Sequence, residues 1–368
     1  MTDAGSPPPS GSPQQPPRAP YHAPIPPRES KPVSFYLAIF LALLLFVSGG
    51  LNLLLLVVSA FDTAAGGFGG YSEEGDGMYE IVAVGGDADA KDRILRVPIV
   101  GAIAESSAPL IGAAGGTVSQ VKRALATAAR DDSIRGILFD VNSPGGGVTD
   151  SDELHRLITQ FRLQHKKPVV ALFGDVAASG GYYMSAACDY IMARPTTITG
   201  SIGVIMQTFN VAELAKRYGV RQVTIVSEHT PHKDLLSMMK EVDPEERAIL
   251  TSIVEEMYER FVKIVDEGRP ALDRDAVRRL ADGRIYSAQQ ALDNGLVDSI
   301  GSLDDAYDRL EKLCGLDSAR VVEQRRRPTL GDVLFGARAQ PGGLERAAND
   351  LLGSVSGPRF LYYWTGAR

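Results

Sequence analysis

The chain has 368 residues, 44% of them hydrophobic and 23% charged, which is enough for one large domain or two ordinary ones. A formal net charge of −7 argues against nucleic acid as a partner, and the one dense basic run, 325–327, is typical of a solvated linker. The two cysteines, Cys188 and Cys314, are too few to cross-link a domain of this size, and no cluster has the spacing of metal ligands. We therefore expect buried thiols and neither a metal nor another cofactor.

The first 61 residues predict a tail followed by a membrane anchor. Half of the 22 prolines lie in residues 1–32, which contain little to bury, so we expect a disordered cytoplasmic tail. Residues 33–61 carry no charged side chain, and a bilayer core needs about 20 apolar residues in a helix. The run is longer than the core of a cleaved signal peptide and starts further from the terminus. It predicts a retained transmembrane helix in contact with membrane lipid.

The charges beside this run predict its orientation. Arg18, Arg28 and Lys31 precede it, whereas the first basic residue after it is Lys91. Because basic residues favour the cytoplasmic side, we expect a single-pass protein of the bacterial inner membrane, with a cytoplasmic N-terminus and the remainder outside. Residues 62–92 are rich in glycine and acidic side chains and predict a stalk.

Residues 93–320 have the pattern of an α/β domain with a largely parallel sheet, because short β-rich runs alternate with amphipathic helical runs. The predicted strands are 94–100, 136–141, 168–173, 190–193, 202–206 and 222–226. The predicted helices are 118–130, 150–164 with Asp150 and Glu153 as a capping box, and one that begins at the N-cap Asp243 and ends near Gly268.

Residues 321–368 predict a C-terminal extension. Its aromatic tail, residues 360–364, would promote aggregation if it stayed in water. We therefore expect the tail to pack against the protein; a second interpretation is that it reaches a neighbouring active site.

The most informative segment is Ala-Ala-Ser-Gly-Gly-Tyr-Tyr at 177–183, in which small residues flank Ser179 soon after a predicted strand. Such a turn can expose a serine hydroxyl as a nucleophile, although the sequence Gly-x-Ser-x-Gly is absent. The amide of Gly180 is a candidate donor to an oxyanion. The glycine-rich loop 142–147, Asn-Ser-Pro-Gly-Gly-Gly, precedes a predicted helix and can form the other half of an oxyanion hole or a plain turn.

A serine nucleophile needs a base, and the five histidines are poor candidates. His22 lies in the tail, His155 and His165 on a solvated helix face or its end, and His229 and His232 in a loop. Lys233 is the better candidate, since burial and a polar partner can lower the pKa of a lysine from its usual value of about 10.4. Ser201 is a candidate to hydrogen-bond the neutral amine and orient it.

Five segments, taken in order, carry a family resemblance. They are 142–147, 177–183, 199–204, His-Lys-Asp at 232–234, and Ala-Asp-Gly-Arg-Ile-Tyr at 281–286 followed by Gly-Leu-Val-Asp at 295–298. Together they resemble the signal peptide peptidase A family, membrane-bound serine/lysine proteases of peptidase family S49, over about residues 93–320. The resemblance implies a ClpP/crotonase-like fold of repeated β-β-α units. It also implies Ser179 as nucleophile, Lys233 as general base, Ser201 beside the lysine, and an oxyanion hole from the Gly146 and Gly180 amides.

Partners and substrates are implied in the same way. Single-module members are similar in forming homo-oligomers, in which the serine and the lysine of one site can come from neighbouring subunits. The chain has half the length of the two-module members, so we expect it to oligomerise. The implied substrates are extended apolar peptides such as cleaved signal peptides. The loop 227–231 is slightly longer than is usual in the family, which bears on the placement of Lys233.

Two other functions fit part of the pattern. A crotonase-like acyl-CoA enzyme would share the glycine oxyanion hole, but the predicted export argues against a cytosolic substrate. A catalytically silent membrane scaffold on the same fold would need neither Ser179 nor Lys233. We therefore predict a membrane-anchored serine endopeptidase with a Ser/Lys dyad.

Overall fold

A computed structural model describes Leu37 and residues 39–50, 79–105, 116–327 and 359–363. The chain divides after Phe68 into two units, and the elements named below belong to the second one. Residues 39–50 are helical, but none of the helices in the described ranges is long and apolar enough to cross a membrane. The tail 1–32 and most of the predicted anchor 33–61 lie outside these ranges and stay predictions.

Strands and helices alternate in the described part of the second unit. Its strands are β1 (Tyr79–Gly86), β2 (Arg93–Val100), β3 (Ile134–Ser143), β4 (Gly145–Gly147), β5 (Val169–Ala178), β6 (Tyr190–Ala193), β7 (Ile198–Gly200), β8 (Ile205–Gln207), β9 (Ile285–Ser287), β10 (Ser299–Ile300), β11 (Arg320–Arg326) and β12 (Arg359–Tyr363). Its helices are α1 (Thr117–Arg130), α2 (Val148–His165), α3 (Gly180–Ser185), α4 (Ala212–Arg217), α5 (Pro244–Gly268), α6 (Arg274–Leu280), α7 (Ala288–Asp293) and α8 (Leu303–Cys314).

A largely parallel sheet runs through this unit in the order β1-β11-β2-β3-β5-β6-β10, with β7 paired to β5 and β9 paired to β7. The central strands are parallel to their neighbours, whereas β1 and β9 pair antiparallel. Strands β4, β12 and β8 form a small antiparallel sheet of their own. This topology confirms the predicted α/β class, and its β3-β4-α2 succession is a β-β-α unit of the kind that a ClpP/crotonase-like fold contains.

Helices cover the central strands on both faces, as a buried parallel sheet requires. On one face Phe139 of β3 lies in the core cluster that also contains Leu154 of α2. On the other face, Leu310 of α8 packs in a smaller cluster with the alternate residues of the same strands. Cys188 is buried as predicted, Cys314 is half-buried, and both are free thiols. The carboxyl ends of the parallel strands β3 and β5 meet at one edge of this rigid core.

Two predicted strands are wrong. Residues 222–226 form no strand, and Val223 and Ile225 are 83% and 92% exposed, because no strand in the described part of the chain pairs with them. The predicted strand 202–206 is replaced by β7 and β8. The extended run is interrupted between them because Ser201 has a positive φ of 49°.

Of the two predicted helix starts with a named cap, one agrees with the structure and one differs from it. Helix α5 begins as predicted, since the Asp243 side chain accepts a hydrogen bond from the Glu246 amide at 2.8 Å and Pro244 is its first residue. Helix α2 begins two residues before the predicted cap Asp150, and its N-cap is Gly147. The reason is that β4 runs directly into α2, so the helix starts where the strand ends.

The sheet extends past both ends of the predicted domain 93–320. Strand β1 lies within the predicted stalk 62–92, and β11 continues to Arg326. The two strands pair along their lengths, with Tyr79 opposite Arg326 and Gly86 opposite Arg320. This pairing gives the backbone of residues 79–86 hydrogen-bond partners that a stalk would lack.

Candidate active site

Ser179 lies at the turn between β5 and α3. Its backbone has φ 49° and ψ −112°, a conformation that costs a non-glycine residue about 1–3 kcal/mol. Two hydrogen bonds hold it: the Ser179 amide donates to the Gly200 carbonyl, and the Tyr183 amide donates to the Ser179 carbonyl, each at 2.8 Å. The residue is 1% exposed. A strained serine at a strand-to-helix turn is the arrangement that presents the nucleophile in α/β-hydrolases.

Ser201 occupies the corresponding position on the neighbouring strand. Strands β5 and β7 are parallel, and Ala178 pairs with Gly200, so the two serines follow paired residues. Ser201 is nearly buried, and its amide donates to the Arg284 carbonyl at 2.7 Å. The structure therefore places the predicted nucleophile and the predicted lysine-orienting serine side by side.

The loop that follows β3 approaches the Ser179 turn so closely that both segments need glycine. A Cβ added to Gly180 would lie 3.0 Å from the Gly146 nitrogen and would overlap the Ser151 hydroxyl. Gly145 has a φ of 100°, and a Cβ there would lie 2.6 Å from the Gly180 nitrogen. The amides of Gly146 and Gly180 are thus neighbours. Two amides in such proximity can stabilise the oxyanion of a tetrahedral intermediate.

Strand β12 lies along β4 beside these amides. On one side of β4, the Ile103 amide donates to the Gly145 carbonyl at 2.8 Å and the Gly147 amide donates to the Ile103 carbonyl at 2.9 Å. Because the polar groups of a strand alternate, the Gly146 amide points to the other side, where its register partner is Tyr362. The chain's own C-terminal strand therefore occupies the side of β4 to which a predicted oxyanion donor points.

The Tyr362 side chain anchors this strand. It is fully buried, stacks on Tyr183 with ring centroids 4.8 Å apart, and lies 4.7 Å from the Phe261 ring. Its hydroxyl donates to the Met257 carbonyl at 2.9 Å. This part of the aromatic tail therefore packs within its own unit, whereas Trp364 lies outside the described residues.

The remaining segments of the resemblance pack around the Ser179 turn. Strand β9 pairs with β7, with Tyr286 opposite Thr199. The Tyr182 hydroxyl, three residues after Ser179, donates to the Leu296 carbonyl at 2.8 Å. These contacts fix the two strand ends and α3, and with them the position of both serines.

Lys233 is not brought to Ser179. It is exposed in a loop of successive turns before α5, and its amide donates to the Thr230 carbonyl at 3.1 Å. Among the described residues of this chain, no hydrogen bond joins Lys233 to either Ser179 or Ser201. The described part of one chain thus assembles the serine pair and the glycine amides, without a hydrogen bond from the predicted base to either serine.

A polar network beside α3 was missed from the sequence. The Tyr183 hydroxyl donates to Asp152 at 2.5 Å, and Arg260 pairs with the same carboxylate at 2.8 Å. His155, expected on a solvated helix face, instead packs edge-on against the Tyr183 ring at 5.6 Å, and burial lowers its pKa to about 4. The spacing of Asp152 and His155, three residues apart on one helix, is the signal that they share a face.

Known proteins supply an independent comparison. The family model described as Peptidase family S49 matches residues 162–317. A putative signal peptide peptidase SppA from Enterococcus faecium is 38% identical over 245 residues, which cover 64% of this chain and 70% of that protein. The chain belongs to peptidase family S49.

One further relative and one solved structure are also similar to this chain. The putative protease slr0021 of Synechocystis sp. is 40% identical to this S49 chain over 231 residues, 63% of this chain and 78% of that protein. Among solved structures, a mutant of the 1510-N membrane-bound stomatin-specific protease aligns with a TM-score of 0.39 and 15% identity, over 60% of this chain and 85% of that one. As a member of S49 the chain is a serine protease, and the segment matched by the family model contains Ser179, Ser201 and Lys233.

Proposed function

We propose that this chain is a membrane-anchored serine endopeptidase in which Ser179 is the nucleophile and Lys233 the general base. One observation carries the proposal: Ser179 is a buried serine in a strained strand-to-helix turn, with the Gly146 and Gly180 amides beside it. Neutral Lys233 accepts the hydroxyl proton while Ser179 attacks the scissile carbonyl, and the two amides stabilise the oxyanion. The Lys233 ammonium then protonates the leaving amine, and water hydrolyses the acyl-enzyme.

The proposed substrate is an extended apolar peptide such as a cleaved signal peptide. The pairing of β12 with β4 supports this, because it shows that β4 accepts an antiparallel strand on the side of the Gly146 amide. A cavity of about 390 Å³ beside β8 has apolar side chains in its lining, among them Met206, Leu236 and Leu250. A peptide strand laid between β4 and β8, in place of β12, runs past this cavity.

We further propose that a second copy of the chain supplies the lysine of each site. Within one chain Ser179 is buried whereas Lys233 is exposed to solvent, which favours the ammonium form of the lysine. The segment that precedes Lys233 leaves Val223 and Ile225 largely exposed, and apolar surface of this kind is typical of an interface. A neighbouring subunit that covers this segment would remove water from the lysine and complete a shared site.

The anchor proposed for residues 33–61 places the domain on the extracytoplasmic side of the cytoplasmic membrane. The support is the charge pattern, with basic residues before the apolar run and acidic residues after it. Digestion of right-side-out membrane vesicles by an added protease tests the orientation. Protection of the domain from digestion would contradict it.

The dyad is tested in the full-length chain in detergent, with an apolar signal-peptide-like substrate. We expect Ser179→Ala and Lys233→Met each to lower kcat/KM by on the order of a thousandfold or more. Ser252→Ala and Lys263→Met, at exposed positions of α5, are matched controls and are expected to keep wild-type activity. Wild-type cleavage by either dyad variant would overturn the proposal.

A further inference from the structure

Lys240 ties the loop that carries Lys233 to the first turn of α5. The Lys240 Nζ lies 2.8 Å from Asp234 Oδ1 and 2.5 Å from Glu246 Oε1. Asp234 directly follows Lys233, so the contact fixes the backbone next to the proposed base to a helix of 25 residues. The backbone hydrogen bonds of residues 230–237 are local turns, whereas the Val211 amide donates to the Met238 carbonyl and the Asn210 side chain to the Lys240 carbonyl further along the loop. The ion pairs of Lys240 are contacts that join the stretch next to Lys233 to α5.

Glu246 distinguishes this contact from an ordinary surface ion pair. Its side chain is 2% exposed, and its Oε2 has no hydrogen-bond partner among the described residues. An unpaired carboxylate in that environment is strongly unfavourable, and Lys240 is the cation in contact with it. Loss of the Lys240 charge would therefore leave a buried carboxylate without compensation and remove the ion pairs that join Asp234 to α5.

Asp234 is also the carboxylate that lies next to Lys233 in the chain. A carboxylate beside a lysine favours the ammonium, which cannot accept the serine proton. The hydrogen bond from Lys240 holds the pKa of Asp234 below its ordinary value. Asp234 therefore stays a carboxylate, and the positive charge of Lys240 balances its negative charge.

Other charged groups surround this cluster with both signs. His232 directly precedes Lys233 in the chain, and its Nε2 lies 3.5 Å from Glu245 Oε1 of α5. The cavity between α4 and the loop, which Lys240 also lines, contains Glu213, Lys216, Arg217, Arg221 and Glu241. Arg247 of α5 lines the cavity beside β8. All these side chains are retained in a Lys240 variant, which removes only the Lys240 charge.

We propose that Lys240 is a positioning residue for the hydrolytic reaction: it holds the loop that carries Lys233 and neutralises Asp234, so that the Lys233 amine can act as the base. The inference rests on the proposed function, since it takes Lys233 as the base. It adds a second lysine that does not touch the substrate but sets the charge and position of the first.

The test is the pH dependence of kcat/KM for the full-length chain in detergent, with the same apolar peptide. Activity rises with pH as Lys233 loses its proton, so a higher pKa of Lys233 moves this acid limb to higher pH. We expect Lys240→Met to move the limb up by about one pH unit and to lower kcat/KM at neutral pH about tenfold. Lys240→Arg, which keeps the charge, is expected to retain the wild-type profile within about threefold, and so is the control Lys263→Met.

The Asp234→Asn variant gives a second, independent readout. It removes the carboxylate and leaves the Lys240 charge, so we expect the acid limb to move to lower pH, and Asp234→Asn combined with Lys240→Met to return towards wild type. An acid limb for Lys240→Met that coincides with the wild-type one, with or without a change in thermal stability, overturns the inference. Ser179→Ala distinguishes the two failures, because cleavage by that variant overturns the proposed function itself.

Discussion

Ser179 and Ser201 directly follow two neighbouring parallel strands and have the same backbone φ of 49°. Each serine thus bears a strained conformation, and each is held by a backbone hydrogen bond to the adjacent segment, from Ser179 to Gly200 and from Ser201 to Arg284. The strain turns both residues out of the extended path of their strands at the same edge of the sheet. The two serines are 22 positions apart in the sequence, and this arrangement holds them side by side at the edge of the sheet.

Two substitutions at Ser201 distinguish the role of its hydroxyl from the role of its backbone conformation. Ser201→Ala keeps the positive φ, whereas Ser201→Gly relieves the strain by about 1 kcal/mol, because glycine adopts this φ freely. If the hydroxyl orients the base, both variants lose about tenfold or more in kcat, although the glycine variant unfolds at a higher temperature than the alanine variant. A glycine variant with wild-type kcat would show that the hydroxyl is dispensable.

Gly180→Ala is expected to abolish most activity. The new Cβ would lie 3.0 Å from the Gly146 nitrogen and overlap Ser151, which displaces the two proposed oxyanion donors. We expect kcat to fall about 10²- to 10³-fold, as when an oxyanion donor is lost. Gly85→Ala in β1 is the control, since its nearest neighbour would lie 3.9 Å away. Steady-state kinetics on the folded variants decides, and retained activity in Gly180→Ala would contradict the proposed oxyanion hole.

A shared site predicts complementation between two inactive variants. When Ser179→Ala and Lys233→Met chains are co-expressed with different tags and purified together, sites that take serine from one chain and lysine from the other are intact. Random assembly through heterologous contacts then restores about a quarter of the wild-type activity. If each chain supplies both residues of its own site, the mixed oligomer stays as inactive as either parent.

Removal of β12 is expected to expose the Gly146 amide to substrate. A chain that ends at residue 358 lacks Tyr362, whose ring packs on Tyr183 and Phe261, so its thermal midpoint should fall. At a temperature where the shortened chain is folded, we expect kcat/KM for a short apolar peptide to rise several-fold, because β12 no longer competes for the edge of β4. Equal or lower activity in the folded, shortened chain would assign β12 a purely structural role.

His155 predicts a pH dependence of stability. Burial lowers its pKa from 6.5 to about 4, so between these values the unfolded chain binds a proton that the folded chain does not. The free energy of unfolding therefore falls as pH falls through this window, by on the order of 2 kcal/mol for this group. We expect His155→Gln to show a smaller loss between pH 7 and pH 4.5 in denaturant titrations, and His229→Gln, in an exposed loop, to match wild type. Identical losses of unfolding free energy in wild type and both variants would show that His155 does not cause the pH dependence.

Local chemistry made some elements predictable. The start of α5 follows from Asp243 and Pro244, whose roles as cap and first helical residue depend on neighbours a few positions away. The Ser179 turn was found because small residues and glycine are required wherever two backbones approach closely. Both features are set by short-range geometry, and the structure has both.

Other features depend on partners distant in sequence. The apolar run 222–226 has the composition of a strand, but composition does not supply a neighbouring strand to pair with. Strand β1 has such a partner in β11, more than 230 positions away, and a glycine-rich context concealed it. The pairing of Tyr362 with Gly146 is equally non-local, so the covered edge of β4 became visible only in the fold.

The antiparallel pairing of β1 with β11 has a consequence for how this module combines with others. Tyr79, where the described sheet begins, lies opposite Arg326, where β11 ends, so the chain enters and leaves the sheet at one corner. A module with adjacent entry and exit points can be fused in tandem, or inserted between other segments, without a change in the order of its strands. A segment joined at that corner therefore leaves the strand order of the main sheet intact, provided that β12 can still return to its place beside β4.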